Sequence, residues 1–325
     1  MILVLILYML FASTFTFGKM ALAYCDPIFF IGARMIIGGL LLLGYQYFFN
    51  QKSWKFEKSS MGLYLQIILF HIYFAFIFEF WALQYVASAK ACLMYNISPF
   101  ITALLAYIFF SERLNAQKWL GLLIGCFGLL PILLAGDPLK GRLATLLHTS
   151  WPELALLGAV VSSAYGWMVM KKLMHKHHSP VMVNGIGMFG GGVLAFLTSL
   201  LVEGVPAITM PAIQSNLNTW ALSLFGAYAP VILCFGFMLL LILIANIICY
   251  NLYGILLKEY SATFLSFAGF TTPLFAALYD FIFIGDTISS AFIASVVITC
   301  VGLYIFYRQE LKIYREARSS RQVRQ

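Results

Sequence analysis

The sequence predicts an all-α integral membrane protein with ten transmembrane helices, and three observations support this fold class. Of the 325 residues, 62% are apolar and only 10% are charged, which leaves too little polar surface to coat a water-soluble globule. The apolar residues form runs of about 20, the length that crosses a bilayer as a helix. The breaks between the runs are short and contain Pro, Gly, Asn or charged residues. This composition excludes a soluble enzyme, a disordered chain and a secreted disulfide framework.

Ten apolar runs have the length of a spanning helix. In chain order they are 2–22, 28–49, 61–85, 89–110, 116–135, 152–174, 180–203, 232–256, 261–283 and 288–307. Residues 219–231 are also apolar, but this stretch ends at Pro230 and adjoins the eighth run. We therefore expect an interfacial or short re-entrant segment there, and no eleventh helix.

The basic residues predict the orientation of the chain. With ten spans and a cytoplasmic N-terminus, four of the 20 Lys and Arg residues lie outside and Arg34 lies within the second run. The other fifteen fall on the inner side, which indicates an inner (plasma) membrane protein with both termini cytoplasmic. The same loops account for the net charge of +8, so no nucleic-acid partner is expected.

An internal duplication divides the chain into two halves. At an offset of 174, Pro99 matches Pro273, Cys126 matches Cys300, and Gly128 matches Gly302. At an offset of 153, Pro27 matches Pro180, and the glycine pair 38–39 matches the pair 191–192.

Each half contains five runs, so the second copy must be inverted relative to the first. The predicted organisation is a first repeat at 1–136, an external linker at 137–151, a second repeat at 152–307 that includes an external insertion at 204–231, and a basic cytoplasmic tail at 308–325. Inverted repeats are typical of carriers that work by alternating access.

Residues 82–133 carry a family resemblance. They begin with Ala-Leu and a short turn, continue with a run that contains Pro99, then Glu112 and a nearby Leu, and end in a Gly-rich run. The first 43 residues add Lys19, Pro27 and Arg34. This order resembles an EamA repeat, and residues 2–307 resemble an EamA-type transporter of the drug/metabolite transporter superfamily. The second copy departs from the first at residues 285–287, Gly-Asp-Thr in place of Ser-Glu-Arg, and in the insertion at 217–231.

Ionisable residues within the runs are the first candidates for a substrate-binding site, because a charge inside a membrane is costly unless it is paired or hydrated. Glu79 lies among aromatic residues that include Phe78 and Trp81, an environment suited to a cationic ligand. Arg34 is a candidate for a substrate carboxylate, and His71 for a proton relay. Structural alternatives remain open: Glu79 paired with Lys19, Arg34 or Lys90, Arg34 as an interfacial anchor, and His71 in an interhelical hydrogen bond.

Two matched prolines are candidate hinges. Pro99 and Pro273 occupy equivalent places in the fourth and ninth runs, where each would remove a helical hydrogen bond. Polar residues next to the first proline and in the eighth run are further candidates for substrate binding: Asn96, Ser98, Asn246 and Asn251. Ordinary interhelical hydrogen bonding is the alternative for these four.

These observations predict a multi-pass carrier that moves a small metabolite, with a proton or a counter-substrate as the coupling partner. Members of the family that the chain resembles move amino acids, nucleotide-type metabolites and S-adenosylmethionine. With Glu79 and Arg34 available, we expect a cationic or zwitterionic amino-acid-like solute such as S-adenosylmethionine. The alternatives are export of neutral amino acids or drugs, and a channel or non-transporting membrane protein. No enzyme motif of the HExxH or GxSxG type occurs, and neither a cofactor nor a metal is expected; the His-rich stretch 175–178 is interpreted as a solvated loop.

Overall fold

A computed structural model of the chain consists of helices throughout the residues it describes. These are 2–51, 58–86, 91, 94–95, 97–112, 115–128, 130–131, 151–204, 208, 222–272, 274–275, 278–279, 290, 293–294, 296–306 and 308. The helices, numbered in chain order, are α1 (Ile2–Ala21), α2 (Pro27–Phe49), α3 (Lys58–Leu83), α4 (Ser98–Phe110), α5 (Ala116–Phe127), α6 (Trp151–His175), α7 (Pro180–Val202), α8 (Leu222–Leu256), α9 (Ala262–Thr271) and α10 (Val296–Phe306).

Six of these helices are long and apolar enough to cross a membrane: α1, α2, α3, α6, α7 and α8. The remaining four are shorter within the described ranges. The helices follow the order of the predicted runs, and the all-helical class agrees with the prediction. The number of ten crossings stays a prediction.

Helix α8 begins at Leu222, ten residues before the predicted start at 232, so the apolar stretch 219–231 is helical from Leu222 onward. Gly226 has a left-handed φ of 54° and separates the first residues of α8 from the part that starts at Ala229. An interfacial or re-entrant position for this stretch stays a prediction. A 3-10 turn at Gly226–Tyr228 leads into the α-helical part, and Pro230 lies in its first turn. Proline is favoured there because its missing N–H would have no helical partner. The external insertion at 204–231 stays a prediction.

Helices α3 and α8 each contain a π-helical segment, at Ile67–Phe74 and Ile242–Cys249. The two segments have the same length and lie 175 residues apart, close to the offset of the duplication. Segments of this kind are rare and occur most often at functional sites. They bring His71 and Asn246 to corresponding positions, and both side chains are fully buried.

The most extensive contact between described helices joins α2 and α7. Their backbones touch at glycines: a Cβ on Gly39 would lie 2.5 Å from the backbone nitrogen of Phe189, and a Cβ on Gly192 would lie 2.7 Å from that of Ile36. The two contacts correspond, because an offset of 153 carries Gly39 to Gly192 and Ile36 to Phe189. Small residues allow this approach, which drives helix association in lipid.

The end of α5 and helix α10 repeat this arrangement. A Cβ on Gly302 would lie 2.6 Å from the backbone nitrogen of Gly125, and a Cβ on Gly128 would lie 2.8 Å from that of Thr299. Here an offset of 174 carries Gly128 to Gly302 and Gly125 to Thr299. Both helix pairs therefore make contacts whose partners match across the predicted duplication.

Glu203 fastens the end of the α2–α7 pair. It follows the last residue of α7 and accepts hydrogen bonds from the backbone N–H groups of Ile28 (2.9 Å) and Phe29 (2.8 Å) in the first turn of α2. Ser199 donates a third hydrogen bond to the same carboxylate at 2.8 Å. A carboxylate at a helix N-terminus satisfies unpaired N–H groups and is favoured by the helix dipole.

We predict that Gly39→Ala destabilises the protein while Gly44→Ala does not. Both glycines lie on α2, but a Cβ at position 44 would meet nothing within 4 Å. The first substitution forces the two backbones apart, at a cost of about 1–3 kcal/mol. Thermal unfolding of the purified variants in detergent measures the difference, and equal midpoints would contradict the close contact.

Candidate functional site

A cavity of about 140 Å³ lies between seven helices: α1, α2, α3, α4, α6, α8 and α9. Nine aromatic side chains line it: Tyr8, Phe11, Phe15, Phe76, Phe80, Tyr95, Trp167, Tyr250 and Tyr253. Five hydroxyl side chains add polar points on the wall: Thr14, Ser98, Ser163, Ser266 and Thr272. The two charged side chains of the lining are Arg34 and Glu79. Both halves of the chain therefore contribute to one polar and aromatic cavity.

Glu79 is part of the wall, near the end of α3. Its Oε2 atom accepts a hydrogen bond of 2.6 Å from the Tyr95 hydroxyl. Lys19, one of its predicted partners, donates to the carbonyl of Val86 at 2.9 Å. Lys90, a second candidate partner, lies outside the described residues. Glu79 is partly buried as a residue and belongs to the cavity lining.

Arg34 projects from α2 and is only 2% exposed. Its guanidinium carbon lies 5.0 Å from the ring centre of Phe76 and 5.3 Å from that of Phe80, within the range of cation–π attraction. The Nε and Nη2 atoms have no hydrogen-bond partner among the described residues, and Arg34 forms no ion pair with Glu79. Arg34 is therefore neither an interfacial anchor nor one half of a lock to Glu79, and it carries donors with nothing described to bind.

The aromatic side chains of the second half form one wall of the cavity. Trp167 stacks on Tyr253 with ring centres 3.7 Å apart, and Tyr250 lies 5.2 Å from the Trp167 ring. Near this wall, Ser98 on α4 contacts Ser266 on α9 at 2.9 Å between the two hydroxyl oxygens. The cavity thus combines a flat aromatic surface and two hydroxyl groups with the charged side chains of Arg34 and Glu79.

Two aromatic residues predicted from the sequence do not line the cavity. Phe78 stacks on Phe74 and Trp81 packs against Tyr85, while Phe76 and Phe80 form the wall beside Glu79. Helical spacing explains part of this, because Phe76 lies three residues before Glu79 and Phe80 lies four residues after Phe76, so that Phe76 shares a face with each. The spacing of four between the two phenylalanines was the signal by which this aromatic face could have been identified.

His71 lies in a second layer behind the cavity. Its ring is 4.3 Å from that of Trp167 and 5.2 Å from that of Tyr250, and a Cβ on Gly166 would collide with it. The Ser163 backbone is near the ring, yet neither ring nitrogen makes a hydrogen bond of acceptable geometry with a described residue. The interhelical hydrogen bond considered for His71 is therefore not seen in this part of the chain.

Asn246 and Asn251 serve contacts between helices. Asn251 receives a hydrogen bond of 3.1 Å from Asn184 on α7 and donates one of 2.8 Å to the carbonyl of Ile247. The amide nitrogen of Asn246 lies 3.2 Å from the sulfur of Met35. Neither residue is part of the cavity lining.

Pro99 lies at the start of a helix and not in the middle of one. It lies in the first turn of α4, which begins at Ser98 after a turn at Ile97, so it starts a helix and interrupts none within the described residues. Asn96 and Pro273 lie outside the described residues. The hinge function of the two prolines stays a prediction.

Comparisons with known proteins define the class. The model of the EamA-like transporter family matches residues 1–134 and 150–308, so the chain belongs to that family. A crystal structure that is 16% identical superposes with a TM-score of 0.66 and covers 96% of this chain and 97% of its own, which shows a shared fold.

Among curated relatives, the S-adenosylmethionine/S-adenosylhomocysteine transporter of Chlamydia muridarum is 28% identical over 93% of this chain and 90% of that protein. The transporter of the same name from Chlamydia trachomatis serovar L2 is also 28% identical, over 93% and 87%. A Salmonella typhimurium protein named "Probable amino-acid metabolite efflux pump" is 27% identical over 93% of each chain. The family and these relatives identify a transporter and not an enzyme.

We predict that the cavity contains water. In a protein without other cysteines, Ser163→Cys places a thiol on the wall, whereas Ser162→Cys places one on the neighbouring buried position. A charged, membrane-impermeant thiol reagent is expected to label position 163 and to leave position 162 unmodified. Mass spectrometry measures the labelled fraction of each variant. Equal labelling of the two positions would contradict a hydrated cavity.

Proposed function

We propose that the protein is a membrane carrier that moves S-adenosylmethionine and S-adenosylhomocysteine. The observation that carries the proposal is the cavity, which combines a buried guanidinium, a carboxylate and nine aromatic rings. S-adenosylmethionine presents a carboxylate, an ammonium group, a sulfonium and an adenine base, and each has a chemical counterpart in this wall. Relatives that share 28% identity along almost the whole chain carry the name of this substrate pair.

The chemistry of each contact is ordinary. A planar base stacks on aromatic rings such as the Trp167–Tyr253 pair, and aromatic contacts of this kind are worth about 0.5–1.5 kcal/mol beyond the buried area. A sulfonium or ammonium group over a ring gains about 0.5–2 kcal/mol more. Ser98 and Ser266 offer hydroxyl groups to the ribose or the base. These terms favour a substrate with both charge and an aromatic base over a purely apolar drug.

A second candidate function is efflux of amino-acid metabolites, which the name of the Salmonella typhimurium relative favours. The charged pair of the cavity would suit an amino acid, but nine aromatic rings exceed what a small neutral side chain needs. A channel is the alternative of another class. It would conduct without saturation and without exchange between the two sides.

We infer that transport proceeds by alternating access between two inverted repeats. The reciprocal glycine contacts of α2 with α7 and of α5 with α10 support this inference, because a pseudo-two-fold axis requires each contact to have a counterpart. The equivalent π-helical segments in α3 and α8 support it as well. In this arrangement the two states are related by exchange of the conformations of the halves, with Pro99 and Pro273 as the proposed hinges.

The proposed location is the inner membrane, with both termini in the cytoplasm, from the distribution of basic residues. Coupling to a proton or to a counter-substrate completes the proposal.

Uptake into sealed vesicles tests the function. We expect purified protein in liposomes to accumulate labelled S-adenosylmethionine faster when the vesicles contain unlabelled S-adenosylhomocysteine, because a loaded carrier returns through the same site. Leucine inside the vesicles is the control and should give no acceleration. Saturable leucine exchange without S-adenosylmethionine uptake would favour the amino-acid alternative, and unsaturable flux of either solute would favour a channel.

An ion pair ties the two halves together at the predicted cytoplasmic end. Lys171 of α6 contacts Glu112, which follows the C-terminus of α4, and their side chains are 7% and 32% exposed. The Lys171 ammonium also lies 4.9 Å from the ring centre of Phe110. A carboxylate at a helix C-terminus is opposed by the helix dipole, so it depends on a nearby cation. The proposed function of this pair is to hold the cavity closed on that side.

We predict that Glu112→Gln and Lys171→Gln lower the maximal transport rate more than they lower substrate affinity. Loss of a partly exposed pair of this kind is worth about 1–2 kcal/mol, or about 5- to 30-fold in the balance between the two states. The charge exchange Glu112→Lys with Lys171→Glu should restore most of the rate. Lys172→Gln is the control, because the Lys172 ammonium lies 4.0 Å from the ring centre of Phe109, whereas Lys171 makes the ion pair with Glu112. Affinity that falls as much as the rate would contradict a gating function.

A further inference from the structure

We propose that Arg34 and Glu79 together bind the α-amino-acid head of the substrate, so that the sulfonium is left to the aromatic rings. This proposal rests on the proposed function and assigns chemical groups within it. Arg34 binds the α-carboxylate and Glu79 binds the α-ammonium. The carboxylate of Glu79 therefore does not recognise the methylated sulfur.

The first step of the argument is the state of Arg34. Its side chain is 2% exposed, and its Nε and Nη2 donors have no partner among the described residues. Those two atoms form one edge of the guanidinium fork, the edge that matches the two oxygens of a carboxylate. The guanidinium carbon lies 5.0 Å and 5.3 Å from the ring centres of Phe76 and Phe80, and neither ring provides a hydrogen-bond acceptor for the two buried donors. A buried cation in this arrangement calls for an anionic ligand.

The second step is that the two charged side chains line one cavity without forming an ion pair. Glu79 acts electrostatically on Arg34, but no ion pair joins them. Tyr95 donates a hydrogen bond of 2.6 Å to the Glu79 carboxylate, and Arg34, Glu79 and Tyr95 all line the cavity. Opposite charges that are neighbours without contact suit a ligand whose own opposite charges sit on one carbon atom. An α-amino acid head has this arrangement, whereas a sulfonium and a carboxylate are separated by several bonds.

The third step uses the two substrates. S-adenosylhomocysteine lacks the methyl group and the positive charge on sulfur, yet it keeps the whole amino-acid head and the nucleoside. A site that accepts both molecules must hold them by the shared parts. Uncharged rings tolerate a sulfonium and a neutral thioether alike, since the cation–π contribution is modest. A carboxylate committed to the sulfonium would instead discriminate strongly between them.

Calorimetric binding to the purified protein tests the carboxylate assignment. Wild-type protein is expected to bind decarboxylated S-adenosylmethionine about 100-fold more weakly than S-adenosylmethionine, the order of loss when a buried charged group loses its partner. In Arg34→Gln the two ligands are expected to bind equally within about threefold, and Arg34→Lys should recover part of the preference. Equal affinities in the wild type would overturn the assignment, and this comparison needs no folded variant of Arg34.

The ammonium assignment has a separate test with the two natural ligands. Glu79→Gln is expected to weaken S-adenosylmethionine and S-adenosylhomocysteine by the same factor, because both contain the ammonium group. A loss confined to S-adenosylmethionine would overturn the proposal and assign Glu79 to the sulfonium. Phe78→Leu, on the same helix but away from the cavity, is the matched control and should bind both as the wild type does. If the wild type binds neither ligand, the proposed substrate itself fails; if it binds both but shows no head-group preference, this assignment alone fails.

Discussion

The backbone contact between α2 and α7 is the constraint on which the site depends. Gly39 and Gly192 allow the two helices to approach until any Cβ would overlap the opposite backbone. Arg34 lies on α2 between Gly32 and Gly39, so this packing holds the helix that carries the buried charge. Glu203 secures the same pair at the start of α2 by two hydrogen bonds to backbone N–H groups. In lipid, where apolar burial gives no force between helices, such close packing and hydrogen bonding provide the stability.

A rigid frame can in turn hold polar groups that the fold does not satisfy. Arg34 and His71 both have buried nitrogen atoms without a hydrogen-bond partner among the described residues. Arg34 belongs to the cavity wall, and His71 lies behind the rings of Trp167 and Tyr250 that form another part of it. Groups of this kind destabilise a folded protein unless a ligand or water meets their needs. The position of Arg34 in the cavity wall supports a site in which the substrate supplies the missing partner of its guanidinium.

The sequence was sufficient for properties that depend on composition and local order, and insufficient for those that arise from packing. The apolar runs located the helices, and the cost of charge in a membrane singled out Arg34 and Glu79, both of which line the cavity. Ser98 lines it too. Phe78 and Trp81 were chosen for nearness in sequence, whereas Phe76 and Phe80, which are four residues apart on one helix face, line the cavity with Glu79. The hydrogen bond from Ile28 to Glu203 joins residues 175 positions apart, a contact that no local pattern contains.

The helix packing is symmetric between the two halves, whereas the charged residues of the cavity are not. The glycine contacts of α2 with α7 match across the duplication, as an exchange of conformations between the two halves would require. The charges do not match: the offset of 153 takes Arg34 to Gly187, and the offset of the π-helical segments, 175, takes Glu79 to Gly254. The charged side of the cavity therefore belongs to the first half, and the stacked pair Trp167 and Tyr253 to the second. A ligand with a charged head and an aromatic base would span the boundary between the halves, so that its two ends contact the two parts proposed to move against each other.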